Sequence, residues 1–79
     1  MITVRYFAGA REAAGVTTEQ LVGPTSVAAL RGALAEARPG LREVLPRCSL
    51  LVAGARATSD DAQVPDGATV DVLPPFAGG

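Results

Sequence analysis

The residues of this chain whose types and spacing could do chemistry lie together at 73–79, Leu-Pro-Pro-Phe-Ala-Gly-Gly. Pro74 and Pro75 have no N–H, so a strand that reaches Leu73 stops pairing there. They also favour an extended, polyproline-like path. Phe76 and Ala77 then lead to Gly78 and Gly79, where no side chain hinders approach from either side. Residues 74–79, fully extended, reach about 20 Å, far enough to enter another protein's active site. A carboxylate on Gly79, with a pKa of roughly 3.5, is ionised and inert towards nucleophiles near neutral pH. An acyl-adenylate made from ATP would supply a leaving group, and a sulfur donor would then leave a thiocarboxylate. On this reading Gly79 is the reactive centre and the rest of the chain carries it.

Other chemistry is scarce. There is no His and a single Cys among the 79 residues, so neither a zinc-ligand set nor a Cys–His nucleophile can be assembled. Cys48 opens an apolar run and reads as a small core residue. Asp60-Asp61 is a loop pair with too few converging oxygens for a metal site. The expectation is a non-catalytic carrier that binds no metal or cofactor itself, with ATP used by an activating partner.

Composition bounds the rest. A chain this short buries only about 60% of its unfolded surface, so one modest core in one domain is expected. It is 48% hydrophobic and 19% charged, outside the disordered regime. With two Phe, one Tyr and no Trp, the core must be aliphatic. A net charge of −1 argues against nucleic acid as the main partner. All seven basic residues are Arg. Arg5, Arg11 and Arg56 could meet an acidic partner surface, although ordinary solvated positions are the simpler reading. The lone Cys asks for no oxidising compartment. MITVRYF lacks the basic region and long apolar run of a signal peptide, and no run approaches a membrane span. A soluble, cytoplasmic protein with no membrane partner is the expectation.

The elements that must position the tail follow from periodicity. ITVRYF (2–7) alternates, with Ile2, Val4 and Tyr6 facing a core and Thr3, Arg5 and Phe7 facing away. AGAREAAG predicts a short helical turn stopped by Gly15. TTEQLV (17–22) is a weaker second strand. Ser26, or Thr25 with a one-residue shift, caps a helix whose stripe is Val27, Leu30, Leu34 and Ala37, ended by Pro39-Gly40. Leu41, Val44 and Leu45 pin the connection that follows. CSLLVAG is a strand, ARAT a short one after a turn at Gly54, and VPDG a turn. In ATVDVL, Val70 and Val72 face in while Thr69, Asp71 and Leu73 face out. One helix across one mixed sheet, its other face open, is an α+β arrangement of four or five strands.

Phe7 and Leu73 break the pattern as outward hydrophobes at strand ends. If the first and last strands are parallel neighbours they meet on the open face, with Ala57 and Phe76 extending the patch, and contiguous exposed apolar surface suggests a partner. The competing reading packs Phe7 under the short helix.

Taken together, the chain resembles the ubiquitin-like sulfur carriers, most specifically the MoaD family, the small subunit of molybdopterin synthase, within the MoaD/ThiS superfamily. ITVRYFAGAREAAG resembles that family's first strand and its Phe-Ala-x-x-Arg-Glu-x-x-Gly segment, here Phe7, Ala8, Arg11, Glu12 and Gly15. SVAALRGALA resembles its main helix, and PDGATVDVLPPFAGG its Asp-Gly turn, last strand and Gly-Gly end. The resemblance implies a β-grasp domain over 1–73 followed by a tail over 74–79. It implies that a ubiquitin-activator-like (MoeB-like) enzyme adenylates Gly79, that a sulfur donor protein installs sulfur, and that the tail enters a large (MoaE-like) synthase subunit. There sulfur would pass to cyclic pyranopterin monophosphate, with Phe7, Leu73 and the tail in contact with the partner. Three positions depart from the pattern: Phe76 replaces a smaller β-branched residue, Gly54 an Asn, and Ala68 an acidic residue. The rival readings are a carrier for thiamin thiazole or for cysteine synthesis, a ubiquitin-like modifier, and a plain interaction module.

Overall fold

The computed structural model describes residues 1–24 and 26–75. The expectations for Phe76, Ala77, Gly78 and Gly79 concern positions outside the described residues.

The alternation at the N-terminus forms β1 (Ile2–Tyr6), whose Ile2, Val4 and Tyr6 are buried as expected. A full helix rather than a single turn follows, α1 (Ala8–Ala14). It ends at Gly15, which takes the left-handed conformation with φ 81° and donates its N–H to the Arg11 carbonyl at 2.9 Å. β2 (Thr18–Leu21) returns antiparallel to β1. α2 (Val27–Ala37) begins at Ser26, whose hydroxyl accepts from the Ala29 N–H at 3.2 Å, so Ser26 is the cap. Val27, Leu30 and Leu34 are buried, but Ala37 is exposed. The helix ends at Ala37, and the core there is filled by Leu41 from the 3-10 turn Pro39–Leu41. A second 3-10 turn, Leu45–Arg47, leads into β3 (Ser49–Val52). Ala53 and Gly54, both at positive φ, then turn the chain into β4 (Ala55–Arg56). β5 (Thr69–Leu73) follows the Asp66-Gly67 turn, where Gly67 has φ 87°.

The five strands form one mixed sheet in the order β2-β1-β5-β3-β4. β5 is parallel to β1, pairing Val4 with Val70 and Tyr6 with Val72, and antiparallel to β3, pairing Leu50 with Val72. Both helices contribute to a single core on one side: Ala10 and Ala14, Leu30 and Leu34, and the inward residues of β1, β3 and β5 belong to one cluster. Cys48 is part of it, and burial pushes its thiol pKa up. The opposite face has no helix across it among the described residues.

One polar network ties the edge of this core together. Arg38, at the end of α2, donates from Nε to Glu19 at 2.6 Å and from Nη1 to the Ala14 carbonyl at 3.0 Å. The Tyr6 hydroxyl donates to the same Glu19 oxygen. One carboxylate on β2 thereby joins β1 and the C-terminal ends of both helices.

Candidate functional site

Phe7 reaches the open face because the chain stays extended past the end of β1. It has φ −123° and ψ 146°, and its N–H donates to the Val72 carbonyl at 3.2 Å. Ladder pairing therefore continues one residue beyond Tyr6 and puts Phe7 alongside Leu73 in register. Ala8 then turns the chain with φ 49°, a costly conformation for a residue with a Cβ. The Phe7 carbonyl accepts from the Ala10 N–H and opens α1. Phe7 is 38% exposed, whereas α1 buries Ala10 and Ala14. The competing reading, with Phe7 under that helix, does not hold.

Leu73 ends β5 and pairs with Ser49 of β3. It is half-buried and outward, as the alternation requires. Pro74 and Pro75 follow it out of the ladder and line a groove of about 550 Å³ with Leu73. Ser49 and Leu51 of β3, with Arg47 and Arg56, line the rest of that groove. Leu51 is an outward hydrophobe that sequence reasoning missed. CSLLV was read as one apolar run, but once Cys48 and Leu50 are inward, parity puts Ser49 and Leu51 outward. That division was available in the sequence.

Between Phe7 and Leu51 sits a cross-strand ion pair. Arg5 and Asp71 face each other in register. The Arg5 guanidinium grips the carboxylate with both prongs, at 2.6 and 2.9 Å. The Arg5 guanidinium carbon is also 5.7 Å from the centroid of the Phe7 ring, within cation–π range. The hydrogen bonds from Arg5 to Asp71, and the charge of that carboxylate, raise the Arg5 pKa.

One expected member belongs elsewhere. Ala57 packs against the core cluster and shares a cleft with Val27 and Arg31 on the helix side. Its N–H donates to the Leu50 carbonyl at 2.9 Å, and with Arg56 outward opposite Leu51 the alternation turns Ala57 inward to the core side. The open-face patch is thus Phe7, Leu73 and Leu51, continued by Pro74 and Pro75. No His/Cys/Asp/Glu cluster suited to a metal occurs among the described residues, and none of their helices is long and apolar enough to cross a membrane.

A small mixed sheet with helices on one side, and an apolar open face running into a proline-led tail, defines a ubiquitin-like β-grasp protein of the sulfur-carrier and modifier class. The chain belongs to the ThiS family, whose model matches residues 4–79. Among solved structures it is similar to the putative molybdopterin converting factor, subunit 1, from Pyrococcus furiosus. The two are 27% identical with a TM-score of 0.81, covering 95% of this chain and 97% of that one. It is similar at 25% identity to SAMP1 from Haloferax volcanii, with a TM-score of 0.80 over 99% of this chain and 98% of that one. The complex of molybdopterin-converting factor subunits 1 and 2 from Helicobacter pylori contains a chain of the same fold. That chain is 23% identical, with a TM-score of 0.72, and the match covers 99% of this chain and 97% of it. No curated protein matches the chain.

Proposed function

We propose that this chain is the sulfur-carrier subunit of a molybdopterin synthase. Gly79 is adenylated, converted to a thiocarboxylate, and delivered into a large subunit for transfer of sulfur to cyclic pyranopterin monophosphate in molybdenum cofactor biosynthesis. In the first step a carboxylate oxygen of Gly79 attacks the α-phosphorus of ATP and pyrophosphate leaves. In the second, the sulfur of a hydrosulfide equivalent from the donor protein attacks the acyl carbon. The C–S bond forms, and AMP departs with the bridging oxygen. This chain's own part is binding and delivery. The observation that carries the reading is the continuity of the apolar open face (Phe7, Leu73, Leu51) with the prolines that start the tail. A partner seated on that face has the tail directed into it. The likeness to a molybdopterin converting factor subunit 1 favours this pathway.

The likeness to SAMP1 favours a second reading, in which the same activated carboxyl is joined to other proteins. The ThiS family model equally accommodates delivery to thiazole or cysteine synthesis.

The test is intact mass spectrometry after incubation with an adenylating enzyme, ATP and a sulfur source. The carrier reading expects exchange of oxygen for sulfur at Gly79, and then molybdopterin formed from cyclic pyranopterin monophosphate when the large subunit is added. An unchanged mass would sink the carrier reading. A thiocarboxylate that the large subunit cannot use would move the chain to another acceptor. Deleting Gly79 is expected to abolish transfer while leaving the fold and its melting temperature unchanged.

A further inference from the structure

The open face is compensated in charge at its centre and uncompensated at one rim. In the centre Asp71 neutralises Arg5 within the chain. Elsewhere Arg38 is matched by Glu19 and Arg31 by Asp60. Arg47 and Arg56 line the groove beside Leu51 and Leu73, where the tail leaves, and both are exposed. Neither is in an ion pair among the described residues. Arg56 is paired opposite Leu51 and Arg47 closes the 3-10 turn that feeds β3, so both side chains spring from hydrogen-bonded backbone beside the groove. A chain with a net charge of −1 therefore presents local positive charge at the root of its tail. Guanidinium groups are weakly hydrated and form forked pairs with carboxylates, which suits them to a protein interface.

We infer that Arg47 and Arg56 are a charge-reading rim, and that the protein activating the tail is apolar at the centre of its docking surface and carries carboxylates opposite these two arginines. This rests on the proposal above that the open face docks a protein partner, and it names that partner's chemistry. Two arginines in a net acidic chain are too sparse for a nucleic-acid backbone, which rewards many phosphate contacts. A rim charge acts chiefly on encounter and register, so its removal shows in association and in salt dependence.

The experiment is ATP–pyrophosphate exchange by the source cell's own MoeB-like adenylating enzyme with the full chain as substrate. Wild type is compared with R47E/R56E and R47Q/R56Q across a range of sodium chloride. The expected result is a loss of roughly tenfold or more in kcat/KM for the charge-reversed chain, carried by KM, with the neutral variant intermediate. The wild-type kcat/KM should fall as salt rises, and that slope should flatten in both variants. Matching melting temperatures guard against a folding effect, and both side chains are exposed. Equal kcat/KM and equal salt slopes in all three proteins would overturn the rim while leaving the carrier reading intact. No exchange even with wild type would overturn the carrier reading and the rim with it. Retention of wild type by single-stranded nucleic acid, lost in R47E/R56E while exchange is unchanged, would reassign the rim to an anionic polymer.

Discussion

Glu19 is the residue on which most of the fold's polar edge depends. Burial by itself would raise its pKa, but hydrogen bonds from Arg38 and Tyr6 outweigh that and hold it below the ordinary 4.5. A depressed carboxylate pKa adds stability that is present above the unfolded-state value and is lost as pH falls through the folded one. Glu19→Gln should therefore lower stability near neutral pH and flatten the decline expected as pH falls below about 4.5, readable in urea titrations at several pH values. Tyr6 runs the other way. Burial first, then Glu19, raises its pKa from 10.0, so folding favours the protonated phenol and stability falls as pH rises past 10.0. At the proposed docking face, Phe7→Asp or Leu73→Asp should weaken partner binding by about 2 kcal/mol or more, as loss of a central anchor does. Calorimetric binding against a large subunit checks this, and unchanged affinity would remove that residue from the interface. Phe7 and Leu73 were legible because they violate an alternation. Leu51 was hidden in an unbroken apolar run, and the Arg5–Asp71 pair needs the parallel register of β1 and β5, which residue types alone do not specify.

At the scale of the element, two glycines eight residues apart should respond in opposite directions. Gly32 lies within α2, and a Cβ built on it meets nothing within 4 Å. Gly32→Ala should stabilise the protein by roughly 0.5–1 kcal/mol by restricting the unfolded chain. Gly40 sits in the 3-10 turn after α2, where a Cβ would stand 2.6 Å from the Ala13 carbonyl oxygen of α1. That neighbour is backbone, so Gly40→Ala must push α1 away and should destabilise. Thermal melts of the two variants decide the pair, and shifts of the same sign would refute the account. Ala8, at φ 49°, should behave like neither, since replacing it with Gly relieves a strained turn and should stabilise by about 1 kcal/mol. The stops of both helices and the cap of α2 were readable from Gly15, Pro39 and Ser26, but the start of α1 at Ala8, after an uncapped Phe7, was not. The full length of α1 was not, because its apolar positions are alanines, whose pattern is weak in any periodicity. Ala37 was over-read for a related reason. Periodicity continues the stripe, but only tertiary structure says where the core ends.

At the scale of the molecule, the mixed sheet and its one-sided helices followed from element order and patterning. The strand order did not, because β5 enters the sheet between β1 and β3 rather than beside its neighbour in sequence, β4. That insertion makes the fold depend on distant pairings such as residue 4 with residue 70, which are slow to find. It also means that a chain stopped at residue 68 would hold β1–β2 and β3–β4 with no strand to join them. Such a chain should lack cooperative unfolding by circular dichroism, and a synthetic peptide of residues 69–79 should restore it. While the protein is being made on a ribosome, the apolar open face cannot be complete until the segment bearing β5 has emerged and slotted into the middle. Phe7 gains its neighbour Leu73 only from that strand. A partner that recognises the two side by side would therefore also be checking that the strand leading into the tail is in place, and a translation product interrupted before that strand would fail the check.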